Sequence, residues 1–304
     1  MTSKIFDLTG KVSFITGAGS GLGIQFAEAC ASAGADIICA DIDLSGAEAT
    51  AAEVGKLGRK ALAVGCDVSN ETEVTEAFEQ ARSTFARVDI LFNNAGIADP
   101  VPAPVHQVET AHWHQVMNVD LHGVFYCAKA ALKIMVAQAS GKIVNVASMW
   151  GLAGSSSLFP IPAYSAAKGA VVNLTRELGL EYARQGIQVN ALCPGFYRTN
   201  IAGGTSDNEE IAQAMTAFTP MGRVAEAAEI RGPAFVPGQL RLGLHDRADA
   251  RRRRRMHGQI THPLRPCGEP AARPECRCAG VAVLRGDSRR PSARTEFHEE
   301  LDGT

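Results

Sequence analysis

The sequence predicts one doubly wound α/β domain, a single parallel sheet with helices on both faces. Three observations carry that expectation. Short β-rich apolar runs alternate with longer segments of helical period, a glycine-rich turn follows directly on the first run, and an aspartate closes the second.

Taken in order, the strand candidates are Val12–Ile15 (VSFI), Asp36–Ala40 (DIICA), Ala61–Cys66 (ALAVGC), Asp89–Asn93 (DILFN), Lys142–Ser148 (KIVNVAS) and Ile187–Cys193 (IQVNALC). Between them Leu22–Ala33, Thr72–Phe85, Trp113–Ala139 and Tyr164–Gln185 carry apolar residues three and four apart, the spacing of a helix with one buried face. Strand, helix and strand repeated in this way imply right-handed crossovers and a parallel sheet buried on both sides. Ligands of such a sheet sit at the carboxyl ends of its strands.

A chain of 304 residues that is 46% apolar is long enough to bury a large core. The net charge of −2 gives no electrostatic reason to expect nucleic acid, whose binding needs a basic surface that displaces counterions. That average conceals a split. Residues 1–232 hold eight Lys, eight Arg and 23 acidic residues, whereas residues 233–304 hold 14 Arg, no Lys and nine acidic residues. The second segment has only Phe235 and Phe297 as aromatics and is rich in Pro and Gly, too little apolar surface to offset the entropy of ordering it. The chain therefore divides into a domain over 1–232 and a disordered Arg/Pro/Gly-rich tail over 233–304.

The amino terminus lacks the uninterrupted apolar core of a secretory signal, and no stretch approaches the roughly 18 apolar residues of a transmembrane helix. A cytoplasmic location without membrane contact is the expectation. Cys30, Cys39, Cys66, Cys127 and Cys193 lie singly among apolar residues and read as reduced core thiols, while Cys267, Cys276 and Cys278 match no zinc spacing. No metal is expected. His106, His112 and His114 read as surface or pocket-rim residues, since an H-x-H pair on a helix diverges.

After the first strand comes TGAGSGLG, Thr16 to Gly23, opening a helix. Gly17 permits the tight turn, Gly21 lets backbone approach a pyrophosphate, and Gly23 allows close helix packing, with Ser20 and Leu22 in the same phosphate-facing turn. Eighteen residues beyond Gly23 stands Asp41, whose carboxylate would accept hydrogen bonds from both ribose hydroxyls and repel a 2′-phosphate. NAD is thus favoured over NADP, and Ser20 agrees, because the turn supplies no cation for a phosphate. Asp43 is the rival for this role; its other reading is a cap for the following helix.

The glycine spacing, together with NNAG at Asn93–Gly96, YSAAK at Tyr164–Lys168 and PG at Pro194–Gly195, resembles the short-chain dehydrogenase/reductase family over about Phe6 to Glu229. Tyr164 and Lys168 are four apart on one helix face, where an ammonium would draw a phenol of pKa about 10 down toward a useful acid/base range. The resemblance implies that Tyr164 exchanges a proton with the substrate oxygen, that Lys168 also holds the nicotinamide ribose, and that Ser148 donates to that oxygen. It gives Asn118, in MNVDLHG, the part of the family's asparagine, which anchors a water for proton relay. Ser148 and Tyr164 are 16 apart, longer than the family pattern, so Ser155, Ser156 and Ser157 compete for the serine role, and Trp150, Leu158 and Phe159 are expected to line the substrate pocket.

By the same resemblance Asp67 and Val68 meet adenine, Asn93 and Gly96 the adenosine ribose, and Pro194, Gly195 and Thr199 the nicotinamide. The activity implied is NAD-dependent interconversion of a secondary alcohol and a ketone in a homotetramer or homodimer, on a sugar, polyol or similar small molecule. Two alternatives are a 3-oxoacyl carrier-protein reductase and an inactive cofactor-binding protein.

At Ala234–Phe235 the resemblance stops, where the family continues into a last strand. The chain has instead FVPGQLRLGLHDRADARRRRRM. Taking the last two bases of each codon with the first of the next, the run Phe235–Met256 is compatible throughout with LFLASSASGYMTGQTLVVDGG, the missing family ending. A base inserted or lost near Ala234 is the reading, and the last strand is expected to be absent. The competing reading keeps the arginines as a basic arm for nucleic acid, which salt-sensitive retention on heparin would support.

Overall fold

Val12–Thr16 (β1) is buried along its whole length, as the centre strand of a sheet covered on both faces must be. The computed structural model describes residues 6–156, 158–199, 201 and 209–233. The expected tail, its arginine run and its cysteines lie outside the described residues, as does Ser157. After β1 come α1 (Gly21–Ser32), β2 (Asp36–Asp41), α2 (Leu44–Lys56), β3 (Ala61–Gly65), α3 (Glu71–Phe85), β4 (Ile90–Asn93), α4 (Thr110–Met117), α5 (Val124–Gln138), β5 (Gly141–Val146), α6 (Pro162–Tyr182), β6 (Ile187–Leu192) and α7 (Glu209–Phe218).

The six strands form one sheet in the order β3-β2-β1-β4-β5-β6, with every neighbouring pair parallel. The doubly wound class expected from the sequence is thus the observed one. Strand period sorts the core into two layers. Phe14, Ile38, Leu91 and Ile143 face α3 and α5, whereas Ile15, Ile37, Phe92 and Val144 face α1 and α2. Each layer is anchored by stacked rings, Phe14 on Phe78 at 4.1 Å and Phe26 on Phe92 at 4.9 Å. Full burial of such a side chain stabilises by about 1.5–3 kcal/mol, which makes these pairs principal anchors of the helices they carry.

The winding reverses between β1 and β4, so a crevice opens where their carboxyl ends part. Two loops are locked there. The Thr16 hydroxyl donates to the Phe92 carbonyl (3.3 Å) and accepts from the amides of Asn94 (3.0 Å) and Ala95 (3.1 Å). In return Asn94 Nδ2 donates to the carbonyls of Thr16 and Gly17.

One expected element is corrected. Trp113–Ala139 is not a single α-helix: α4 gives way at Asn118–Gly123 to a π-helical segment before α5 begins. A π segment admits an extra residue per turn and so rotates the faces on either side of it, a device common at functional sites. The last helical expectation, Tyr164–Gln185, begins two residues earlier and ends as a 3₁₀ turn over Ala183–Gln185.

Among the described residues β6 is the sheet's outer edge, paired only with β5. Its residues beyond Ile187 are only partly buried, and Gln188 Oε1 is enclosed without a hydrogen-bond partner.

Candidate active site

The glycine turn is built as its spacing requires. Gly17 has φ +65°, a left-handed conformation that glycine adopts without steric cost. A Cβ on Gly23 would lie 1.9 Å from the Gly17 carbonyl oxygen, so only hydrogen fits between turn and helix. Ser20 precedes α1 in extended conformation with no side-chain cap, and Leu22 packs on the α1 side of the core. Thr199 lies over this turn: its side chain is 3.4 Å from where a Gly21 Cβ would stand.

Asp41, at the end of β2, accepts from the Gly19 amide with Oδ2 (2.7 Å) and from the Asp43 amide with Oδ1 (3.0 Å). These bonds fix the carboxylate beside the turn and leave lone pairs for a ligand. Asp43 caps α2, accepting from the amide and hydroxyl of Ser45, and the Ser45 hydroxyl bond holds its carboxyl below the usual range. Asp67 follows β3 by two residues, with Oδ1 bonded to Ser69, and Val68 is buried against Gly123.

Asn93 closes β4. Its side chain is buried and turned into the sheet, donating to Asn145 Oδ1 (2.8 Å) and the Val124 carbonyl (3.3 Å), so only its backbone is left to face a ribose. Gly96 stands against Lys168 Nζ, 3.1 Å from where its Cβ would be.

β5 ends at Val146 rather than at Ser148, which instead caps a 3₁₀ turn over Met149–Gly151 and accepts from the Trp150 amide at 3.1 Å. Across from it α6 begins with Pro162, and the buried Asp99 accepts from the amides of Ala163 (3.2 Å) and Tyr164 (2.9 Å). This remote cap fixes the first turn of α6 and the tyrosine on it. The Ser148 hydroxyl neighbours the Tyr164 phenol and works to lower its pKa. Ser155 is engaged elsewhere, 3.1 Å from the Ser165 hydroxyl. Pro194 joins this group through its carbonyl, which accepts from the Met149 amide at 3.0 Å, and Gly195 lies beside Met149.

Lys168 is buried, with Nζ 5.4 Å from the centre of the Tyr164 ring and donating to the Val146 carbonyl at 3.1 Å. It also meets Asp120 Oδ2 at 3.1 Å, an ion pair with both side chains almost fully enclosed. Asp120 Oδ1 accepts from the Ile97 amide at 2.8 Å. The sequence reading missed Asp120 and Asp99.

Asn118 is not at the site. It is exposed and pairs with His122 at 3.1 Å on the outside of the π segment. Two residues along the segment is about half a turn, so with Asn118 outside, Asp120 is the residue turned inward.

The expected depression of the Tyr164 pKa is likewise corrected. Burial raises it, the charge of Asp120 raises it further, and Lys168 with the Ser148 hydroxyl offsets only part. Lys168 is itself raised: burial works against its charge, but Asp120 and Tyr164 outweigh that.

Trp150, Phe159, Phe196 and Phe218 gather beside Ser148, with Trp150 5.4 Å from Phe218 and Phe196 6.4 Å from Phe159, centre to centre. Leu158 is half-buried in the same loop as Phe159. His106 and His114 are exposed, and among the described residues no three His, Cys, Asp or Glu side chains are grouped to hold a metal. Nor is any described helix long and apolar enough to cross a membrane. Cys30, Cys39, Cys66 and Cys127 are buried free thiols, the first three pushed up to about 12 mainly by burial.

The family model described as short chain dehydrogenase matches residues 11–210. A cis-4-hydroxycyclohexanecarboxylate dehydrogenase of Sinomonas cyclohexanicum is 39% identical over 220 residues, covering 72% of this chain and 86% of its own. Among solved structures, NAD+-bound xylitol dehydrogenase superposes with TM-score 0.70 at 31% identity, covering 76% of this chain and 92% of that one. A gluconate 5-dehydrogenase of Burkholderia cenocepacia, in complex with NADP and tartrate, gives 0.71 at 34% identity, covering 77% and 89%. With fold, motifs and relatives in agreement, the chain belongs to the short chain dehydrogenase family, oxidoreductases that use nicotinamide cofactors.

Proposed function

We propose that the domain interconverts a secondary alcohol and a ketone with NAD(H), Tyr164 carrying the proton. The observation that carries this reading is the group formed by Ser148, Tyr164 and Lys168, a hydroxyl beside a phenol with an ammonium 5.4 Å from its ring centre. The bound nicotinamide would supply or accept the hydride. The residues fit such a cofactor: the Gly17–Gly23 contact leaves the backbone of the turn bare for a pyrophosphate, and Asp41 is held by the Gly19 amide at the ribose end. Ser148 would donate to the substrate oxygen as charge develops, and Tyr164 would give or take the proton there.

Asp41 supports NAD over NADP, because a fixed carboxylate repels a 2′-phosphate. Asp41→Ala is expected to lower kcat/KM for NAD+ by roughly 10–100-fold, the scale of lost hydrogen bonds to a charged group, while NADP+ loses less or gains. Initial rates with each cofactor check this, and an unchanged NAD+/NADP+ ratio would refute the assignment.

The ring cluster of Trp150, Phe159, Phe196 and Phe218 favours a substrate with an apolar carbon frame over an open polyol. Cyclic alcohols, polyols and acetoacetyl thioesters assayed side by side separate the dehydrogenase reading from the 3-oxoacyl reductase. We infer a cytoplasmic homo-oligomer, supported by exposed Phe125 and Val136 on α5 and tested by sedimentation. The reading of an inactive cofactor-binding protein is favoured by one observation, the edge position of β6. Stoichiometric NADH binding without turnover on any of these substrates would establish it.

A further inference from the structure

The interior position beside Lys168 is held by an aspartate, while Asn118, which the resemblance gave the asparagine's part, faces outward. The π segment turns Asp120 inward, where Oδ1 takes the Ile97 amide and Oδ2 stands 3.1 Å from Lys168 Nζ. Seen from Tyr164, the carboxylate offsets part of the field of the ammonium, because the two opposite charges stand only 3.1 Å apart. We propose that Asp120 is a positioning residue that holds Lys168 and weakens its field at Tyr164, thereby setting the pH range in which the tyrosine takes a proton from an alcohol.

The charges that reach Tyr164 are Lys168 on its own helix and Asp120 from the π segment, with the Ser148 hydroxyl beside it from the loop after β5. Asp99, from the loop after β4, adds its charge on Asp120. Burial and Asp120 raise the Tyr164 pKa, so the phenol stays protonated at neutral pH. That state is ready to donate in ketone reduction. Alcohol oxidation needs the phenolate and so gains as pH rises.

Asp120→Asn is nearly isosteric and keeps an oxygen for the Ile97 amide while removing the negative charge. In cofactor-free protein, phenolate absorbance of Tyr164, taken as the difference from the same chain carrying Tyr164→Phe, is expected to rise at a pH lower by about one unit or more, the scale of a nearby charge. The pH profile of kcat/KM for alcohol oxidation should move to acid by a similar amount. Asn118→Ala is the contrast, expected to leave the phenolate midpoint in place. If Asp120→Asn does not give a native circular dichroism spectrum, Asp120→Ser provides the same reading. A midpoint that stays put or moves to alkaline overturns the proposal, as does an equal shift in Asn118→Ala. The proposal's catalytic half rests on Tyr164 as the proton carrier. Should Tyr164→Phe retain full turnover, that reading fails, while the cofactor-free midpoint still tests the electrostatic role of Asp120.

Discussion

Tyr164→Phe is expected to lower kcat for alcohol oxidation by roughly 10²–10⁴-fold, the contribution of a positioned general acid or base. The substitution removes one atom. The ring stays in place under Lys168, whose Nζ lies 5.4 Å from its centre, and Asp99 still caps the first turn of α6 through backbone amides. What is lost is the hydroxyl beside Ser148 and the proton it carries. NADH affinity, read by fluorescence titration, should therefore change little, because the glycine turn and Asp41 are on other elements. The pH dependence supplies an independent check. Rate should rise with pH in the parent as the phenol, held up by burial and Asp120, gives up its proton, and that rise should vanish in the variant. A variant retaining more than about a tenth of the parent rate would remove Tyr164 from the chemistry.

Much of this arrangement is legible in the sequence because it is local. Strand runs such as VSFI and DIICA are short and apolar on both faces, and the structure extends each by a single residue, to Thr16 and Asp41. Gly17 and Gly23 are fixed by sterics within seven residues of chain, which is why a spacing alone identified the turn. The exchange of Asn118 for Asp120 has a different origin. A π segment changes the register by one residue without changing the apolar period around it, so Trp113–Ala139 reads as one helix. A signal was nonetheless present: Val116, Asp120 and Val124 are four apart, and both valines are buried, so the residue between them belongs to the interior face. A carboxylate on that stripe has to meet a cation, and Lys168 is the one it meets. Asp99 left no such trace. It caps a helix 64 residues away from a Pro-rich loop, and that pairing exists only once the chain is folded.

Restoring one base near Ala234, so that the chain continues LFLASSASGYMTGQTLVVDGG, is expected to raise the melting temperature by roughly 10–20 °C. The magnitude follows from about three newly buried apolar side chains at about 1.5 kcal/mol each, the low end because ordering the strand costs entropy, with about 2–4 °C per kcal/mol for a domain of this size. The place for them is the outer edge of β6, whose residues beyond Ile187 are only partly buried while β4 on the inner side is buried throughout. Among the described residues this edge has no neighbouring strand, and an open edge presents unpaired amides and carbonyls to other chains, so the 304-residue sequence is expected to aggregate on heating where the restored one stays soluble. The experiment has two parts, resequencing the gene from Gly222 to the stop codon and melting both proteins by circular dichroism with size-exclusion chromatography. Equal melting temperatures and equal solubility would show that β6 needs no neighbour and that the arginine-rich ending is compatible with the fold. A large gain, with turnover appearing or increasing alongside it, would mean that the catalytic group built on β5 and α6 works only when the sheet beside it is complete.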